Sequence, residues 1–165
     1  MSKHTFRIFV KASPDEVWKA ITDPETAARY GYGGLLEIEP RAGGAYRVHA
    51  TDEMKQFGMP DVVVDGEILE AEAPRRLVQT WQAHFNPQIE AEPVGRVTWE
   101  TAPAQELMFP DGGVTQVTLT HELDDAARET AGIVSGETAE AGGGWALVLS
   151  DLKTLLEVGR SMAED

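Results

Sequence analysis

The chain contains no cysteine, which excludes a disulfide framework, a thiolate metal site and a cysteine nucleophile together. Long apolar runs are missing as well: no stretch approaches the roughly 18 residues that a membrane-spanning helix requires. Basic residues are scarce, with 14 Lys and Arg against 28 Asp and Glu and a net charge of −14. Such a surface repels phosphate backbones and anionic lipid, so neither a nucleic-acid nor a membrane partner is expected. The acids are scattered, and no block marks a disordered acidic tail. The four histidines show no metal-site spacing, and there is no phosphate-cradling glycine loop, Ser-His-Asp order or carboxylate pair. No metal or cofactor is therefore expected. Met1 to Lys11 lacks the apolar core of a signal peptide, which predicts a cytoplasmic location.

What is present reads as one domain over 1–165, long enough to bury a core without staples. Phe6, Ile8 and Val10 alternate with Thr5, Arg7, Phe9 and Lys11, the pattern of a half-buried strand. Ser13-Pro14-Asp15-Glu16 then carries a capping box with proline at the first helical position. Asp23-Pro24-Glu25 repeats the start signal, predicting a second short helix that ends near Tyr30-Gly31. Six strand-like segments follow, over 35–39, 45–51, 62–71, 76–85, 94–101 and 114–122. Pro40 to Gly44 and Glu72 to Arg75 read as hairpin connections, so a meander is expected, with the leading strand paired at one of its edges.

Three connections are long and unusually apolar: 52–61 with Met54, Phe57 and Met59, 86–93 with Ile89, and 102–113 with Leu107, Met108 and Phe109. Exposed loops do not keep such groups without a partner. Each either covers a sheet edge or core end, or forms a pocket rim or subunit contact; a homodimer through Leu107-Met108-Phe109 is one such expectation. After the acidic, alanine-rich 124–135 segment, with room for a helical turn, a terminal helix is predicted from near 136–138 to Met162. Its inner stripe holds Trp145, Val148, Leu149, Leu152, Leu155, Leu156 and Met162, with Asp151, Lys153, Glu157 and Arg160 outside it.

These segments together resemble a known family. Phe6 to Val10 followed by Ala12-Ser13-Pro14-Asp15-Glu16-Val17-Trp18 and Thr22-Asp23-Pro24-Glu25 is similar to the opening of the SRPBCC superfamily. Arg41 to Gly44, Gly66 to Leu69, Arg76 to Val78 with Thr80-Trp81, Val97 to Glu100 and Thr118 to Glu122 continue the likeness in order. The ending, Gly143-Gly144-Trp145 with Leu149 to Lys153, resembles the group related to the C-terminal domain of the heat-shock protein 90 ATPase activator. The resemblance implies an α+β helix-grip fold: a seven-stranded antiparallel sheet curved around a long C-terminal helix, with two short helices after strand 1. The superfamily includes lipid carriers, polyketide aromatase/cyclases, hormone receptors and stress-linked proteins, so the fold leaves function open. The connection over 102–113 and the segment 125–135 are longer than the family pattern.

In a fold of that kind the core and the cavity wall share one surface. Period two puts His121 on the face of Val117 and Leu119, the interior, either as a satisfied structural histidine or as a polar contact to a ligand. Gln79 shares a face with Leu77, Trp81 and Ala83, although alternation alone also permits Val78 and Thr80 to point inward. Trp81, Trp99 and Trp145 read as core aromatics that double as wall. The expected cavity therefore comprises His121, Gln79, Trp81, Trp99, Trp145, Leu119 and Leu149, with Phe57 and Met59 from the 52–61 connection. The triplet Gly142-Gly143-Gly144 disfavours helix by about 1 kcal/mol per glycine, from close backbone approach, a flexible gate or a frayed end. An enzyme in this cavity would need an acid or base there. His121 and Tyr46 are the candidates, since Asp65, Glu67 and Glu100 fall on outward positions, and no catalytic residue is assigned.

Three functions follow. The first is carriage of a small hydrophobic molecule, the second a cyclase- or hydrolase-like enzyme in the same cavity, and the third a co-chaperone-like or stress-response interaction module.

Overall fold

The computed structural model describes residues 1–165. The opening strand β1 (Ser2–Val10) leads into α1 (Pro14–Thr22) and α2 (Pro24–Ala27). The capping box is formed: the Ser13 hydroxyl accepts from the Glu16 amide, and the Glu16 carboxylate accepts from the Ser13 amide. At α2 the Asp23 carboxylate accepts from both the Thr26 amide and the Thr26 hydroxyl. That helix is shorter than the sequence suggests. It stops at Ala27, because Gly31 and Gly33 take positive φ and turn the chain away as a loop.

Strands β2 (Leu35–Ile38), β3 (Ala45–His49), β4 (Val62–Glu72), β5 (Arg76–Ala83), β6 (Gly95–Pro103) and β7 (Thr115–Leu123) follow. Short helices α3 (Asp52–Gln56) and α4 (Pro87–Glu90) interrupt the β3–β4 and β5–β6 connections. All neighbours are antiparallel, in the spatial order β1-β7-β6-β5-β4-β3-β2, so β1 closes against β7. Register irregularities between Val48 and His49 and between Ile68 and Glu70 bend the β2–β5 half of the sheet.

The region before the last helix departs from expectation. Residues expected to hold a single turn form α5 (Arg128–Ser135), which ends at Gly136, and a 3₁₀ turn over Ala139–Ala141 takes up the expected start of the long helix. The terminal helix proper, α6, runs Gly144–Val158 and stops at left-handed Gly159, short of Met162. Helix α5 has no cap of its own. The Glu92 carboxylate, from the β5–β6 connection, accepts instead from the Glu129 and Thr130 amides and the Thr130 hydroxyl. A carboxylate at a helix N-terminus satisfies orphan donors and favours the dipole.

Helix α6 lies toward the β1 side of the sheet. Leu149, Leu152 and Leu155 are buried in the core beside α1, and Lys153 donates to the Phe9 carbonyl at 2.8 Å. Asp151 is also buried, although spacing alone assigns it to the outer face. It accepts from the Gly31 amide, the Ser161 hydroxyl and the Met162 amide, tying the 31–34 loop and the chain end to the helix. Burial pushes its carboxyl pKa up, but these three donors together hold it below the ordinary value.

Candidate functional site

With α6 packed over the β1 side, the β2–β5 half of the sheet is left to be covered by loops. A cavity of about 700 Å³ lies there. Leu36, Tyr46, Val48, Val63, Val64, Gln79 and Trp81 form its floor from β2 to β5, and Trp99 adds one residue from β6. Trp145 and Val148 on α6, and Ile133 and Val134 on α5, form the opposite wall. The mouth is framed by Tyr32 to Gly34, Met54, Met59, Phe85, Asn86 and the turn around Glu140.

Gln79, Trp81, Trp99, Trp145 and Met59 thus line the cavity. His121, Leu119, Leu149 and Phe57 do not, although the sequence reading groups them with the wall. The reasons differ. His121 and Leu119 sit on β7, beneath the aromatic cluster and the packed helix, at 0% exposure. Leu149 is turned into the core. Phe57, at the end of α3, points into solvent at 82% exposure.

His121 supports the wall from behind. The Trp145 indole donates from Nε1 to His121 Nδ1 at 3.0 Å. Accepting at Nδ1 leaves the neutral ring's proton on Nε2, and that atom is buried without a partner, facing Gly95. Burial lowers the His121 pKa to about 3, with His4 on the paired strand adding to the effect, so the ring is neutral near pH 7. Trp81 meets His121 edge-on at 4.9 Å, and Trp99 meets Trp145 edge-on at 5.9 Å between centroids. Edge-to-face pairs of this kind hold rings in fixed orientations.

Few polar groups reach the cavity interior. The Tyr30 hydroxyl is committed to the Ala20 carbonyl, and Tyr32 bridges the Ala141 carbonyl and the Gly144 amide. Tyr46 and Gln79 remain. Burial pushes the Tyr46 phenol up to about 12, with the neighbouring Gln79 amide acting the other way, so the phenol stays protonated near pH 7. Gln79 Oε1 is buried and has no hydrogen-bond partner. No Lys, Arg or His lines the space, and its two carboxylates, Glu129 and Glu140, are exposed.

The glycine triplet also has a structural cause. Gly144 opens α6 at a φ of +66°, and a Cβ there would run into the Val134 carbonyl of α5. Gly142 lies against the Tyr32 ring. Close approach of the α5 and α6 ends accounts for Gly144, and packing against the Tyr32 loop for Gly142; neither reflects a frayed terminus.

Sequence reasoning missed the Tyr30-Gly31-Tyr32-Gly33-Gly34 loop, which supplies much of the mouth. The available signal was its composition: aromatics alternating with glycine, outside any periodic segment.

Among curated proteins, no match was found. The family model for the activator of Hsp90 ATPase homolog 1-like proteins matches residues 11–157. The chain belongs to this family. Solved structures share the architecture. CalU16 from Micromonospora echinospora is 22% identical, with a TM-score of 0.62 over 94% of this chain and 76% of that one. An HSP90 activator from Plasmodium falciparum is 20% identical, with a TM-score of 0.61 over 96% and 97%. The Aha1 dimer from Colwellia psychrerythraea is 16% identical, with a TM-score of 0.68 over 98% and 100%. At these identities the likeness establishes the helix-grip fold of this Aha1-like chain. No helix is long and apolar enough to cross a membrane.

Proposed function

We propose that this Aha1-like protein binds a small, largely apolar molecule in the space between the β2–β5 sheet face, α5 and α6. The observation that carries the reading is the cavity itself. Its volume falls in the range of small-molecule sites, and its wall is mostly aliphatic and aromatic with a few convergent polar groups. A cyclase-like reaction has less support: the interior titratable groups are tyrosines with raised pKa values, and His121 lies behind the wall. A co-chaperone-like role rests on family membership and on one structural relative named as an HSP90 activator, with no surface feature of this chain behind it. Self-association through the Leu107–Phe109 loop is a further part of the proposal, supported by that loop's exposure and by a dimer among the structural relatives.

Native mass spectrometry after gentle purification, with solvent extraction of the same sample, tests the binding reading. A mass excess that extraction recovers as an apolar compound is the expected result. Ile133→Trp, which fills the space from α5, is expected to abolish that excess while leaving the circular dichroism unchanged. A wild-type protein that carries no ligand and takes up no added hydrophobic probe would refute the reading.

A further inference from the structure

Resting on that binding reading, we infer that the cavity selects an uncharged molecule carrying a hydroxyl donor, and that Gln79 is the residue that reads the donor. Three observations converge. First, Gln79 is 1% exposed, lies on the cavity wall, and its Oε1 has no partner. An unpaired buried acceptor is costly, and native folds rarely leave one without a purpose or a partner. The terminal torsion of a glutamine is broad and roughly two-fold, so a modest turn presents this oxygen to a molecule resting on Trp81. Second, the oxygen is an acceptor only, so its partner must bring a proton: a hydroxyl fits, whereas an ether, ester carbonyl or carboxylate does not.

Third, the surroundings reject negative charge. The wall carries no cation to compensate a buried carboxylate, and the two charges at the mouth are Glu129 and Glu140, on a chain of net charge −14. An anion there would lose its hydration without a counter-charge. Tyr46, protonated beside Gln79, offers a second hydroxyl to the same polar spot. The indoles of Trp81, Trp99 and Trp145 and the ring of Phe85 supply a wall suited to a flat aromatic body. A hydroxylated polycyclic arene meets all of these conditions, and a fatty acid meets none beyond apolarity.

The test is calorimetric titration at neutral pH with three probes of one shape: pyrene, 1-hydroxypyrene and pyrene-1-carboxylate. The expected order has 1-hydroxypyrene about three- to tenfold tighter than pyrene, the size of one net neutral hydrogen bond. Pyrene-1-carboxylate is expected to bind at least about tenfold more weakly than pyrene. Gln79→Met, which keeps the length and removes both polar atoms, is expected to bind pyrene as before and to lose the preference for the hydroxyl. Because this change also removes an unpaired acceptor, the variant's melting temperature is expected to equal or exceed that of the wild type. If pyrene binds but the hydroxyl adds nothing, or the carboxylate binds best, the inference is overturned while the binding reading stands. A preference that survives in Gln79→Met, or a variant markedly less stable than the wild type, overturns Gln79 as the reader. Should none of the three bind, the binding reading itself fails.

Discussion

His121 illustrates how one buried side chain ties the core to the cavity wall. It anchors the Trp145 indole through Nδ1 and stays neutral at the expense of an unpaired Nε2. In the unfolded chain the same ring takes a proton near its ordinary pKa of 6.5, whereas in the fold it does so only near 3. Between those values the unfolded state binds more protons, so stability rises with pH and falls as pH drops below 6.5. The slope attributable to this residue approaches 1.4 kcal/mol per pH unit within the window. Urea unfolding between pH 7 and 4 is expected to show that loss in the wild type and a shallower one in His121→Gln. Equal slopes in the two proteins would remove His121 from the acid sensitivity. Period two on β7 put this histidine inside from sequence alone. Only the packed structure shows that Trp145 stands between it and the cavity.

At the scale of elements, the junction between α5 and α6 decides the shape of the wall. Sequence periodicity found the α6 stripe because Leu149, Leu152 and Leu155 recur at helical spacing. It placed the helix start near 136–138, too early, because nothing in the local spacing over 136–143 reveals the 3₁₀ turn at Ala139–Ala141 that delays the start to Gly144. Gly144 should make the junction intolerant of change. In an ordinary helix, glycine to alanine gains about 1 kcal/mol, but here alanine meets both a left-handed backbone and the Val134 carbonyl. Gly144→Ala is expected to destabilise by about 2–4 kcal/mol, read as a lowered melting temperature. Gly159→Ala is the control, because its φ of +87° is equally unfavourable yet nothing lies near its Cβ position. A loss of about 1 kcal/mol is expected there. Two equal losses would mean that the helix contact contributes nothing. Asp151 behaves in the complementary way: spacing put it outside, but donors from the Gly31 loop and from the chain end draw it inward.

For the whole molecule, sheet and helix divide the interior unequally. α6 fills the β1 side, and the bent β2–β5 side keeps open space. The 104–114 loop projects away from both, with Leu107 at 89% and Met108 at 68% exposure. Small-angle scattering is expected to give the mass of two copies for the wild type and of one for the Leu107→Glu, Met108→Glu double variant. A monomeric wild type, or an unchanged dimer in the variant, ends the idea that this loop joins two copies.

By itself the sequence determined the order of strands, the antiparallel meander, the capped first helices and the acidic, cysteine-free character of the chain. Those properties follow from local spacing, turn chemistry and composition, which need no distant partner. Tertiary structure decided which interior residues face a void. Burial and cavity lining look alike in a hydrophobic pattern, and only the seating of α6 over β1 separates them. That seating left Gln79 beside open space and put His121 behind an indole.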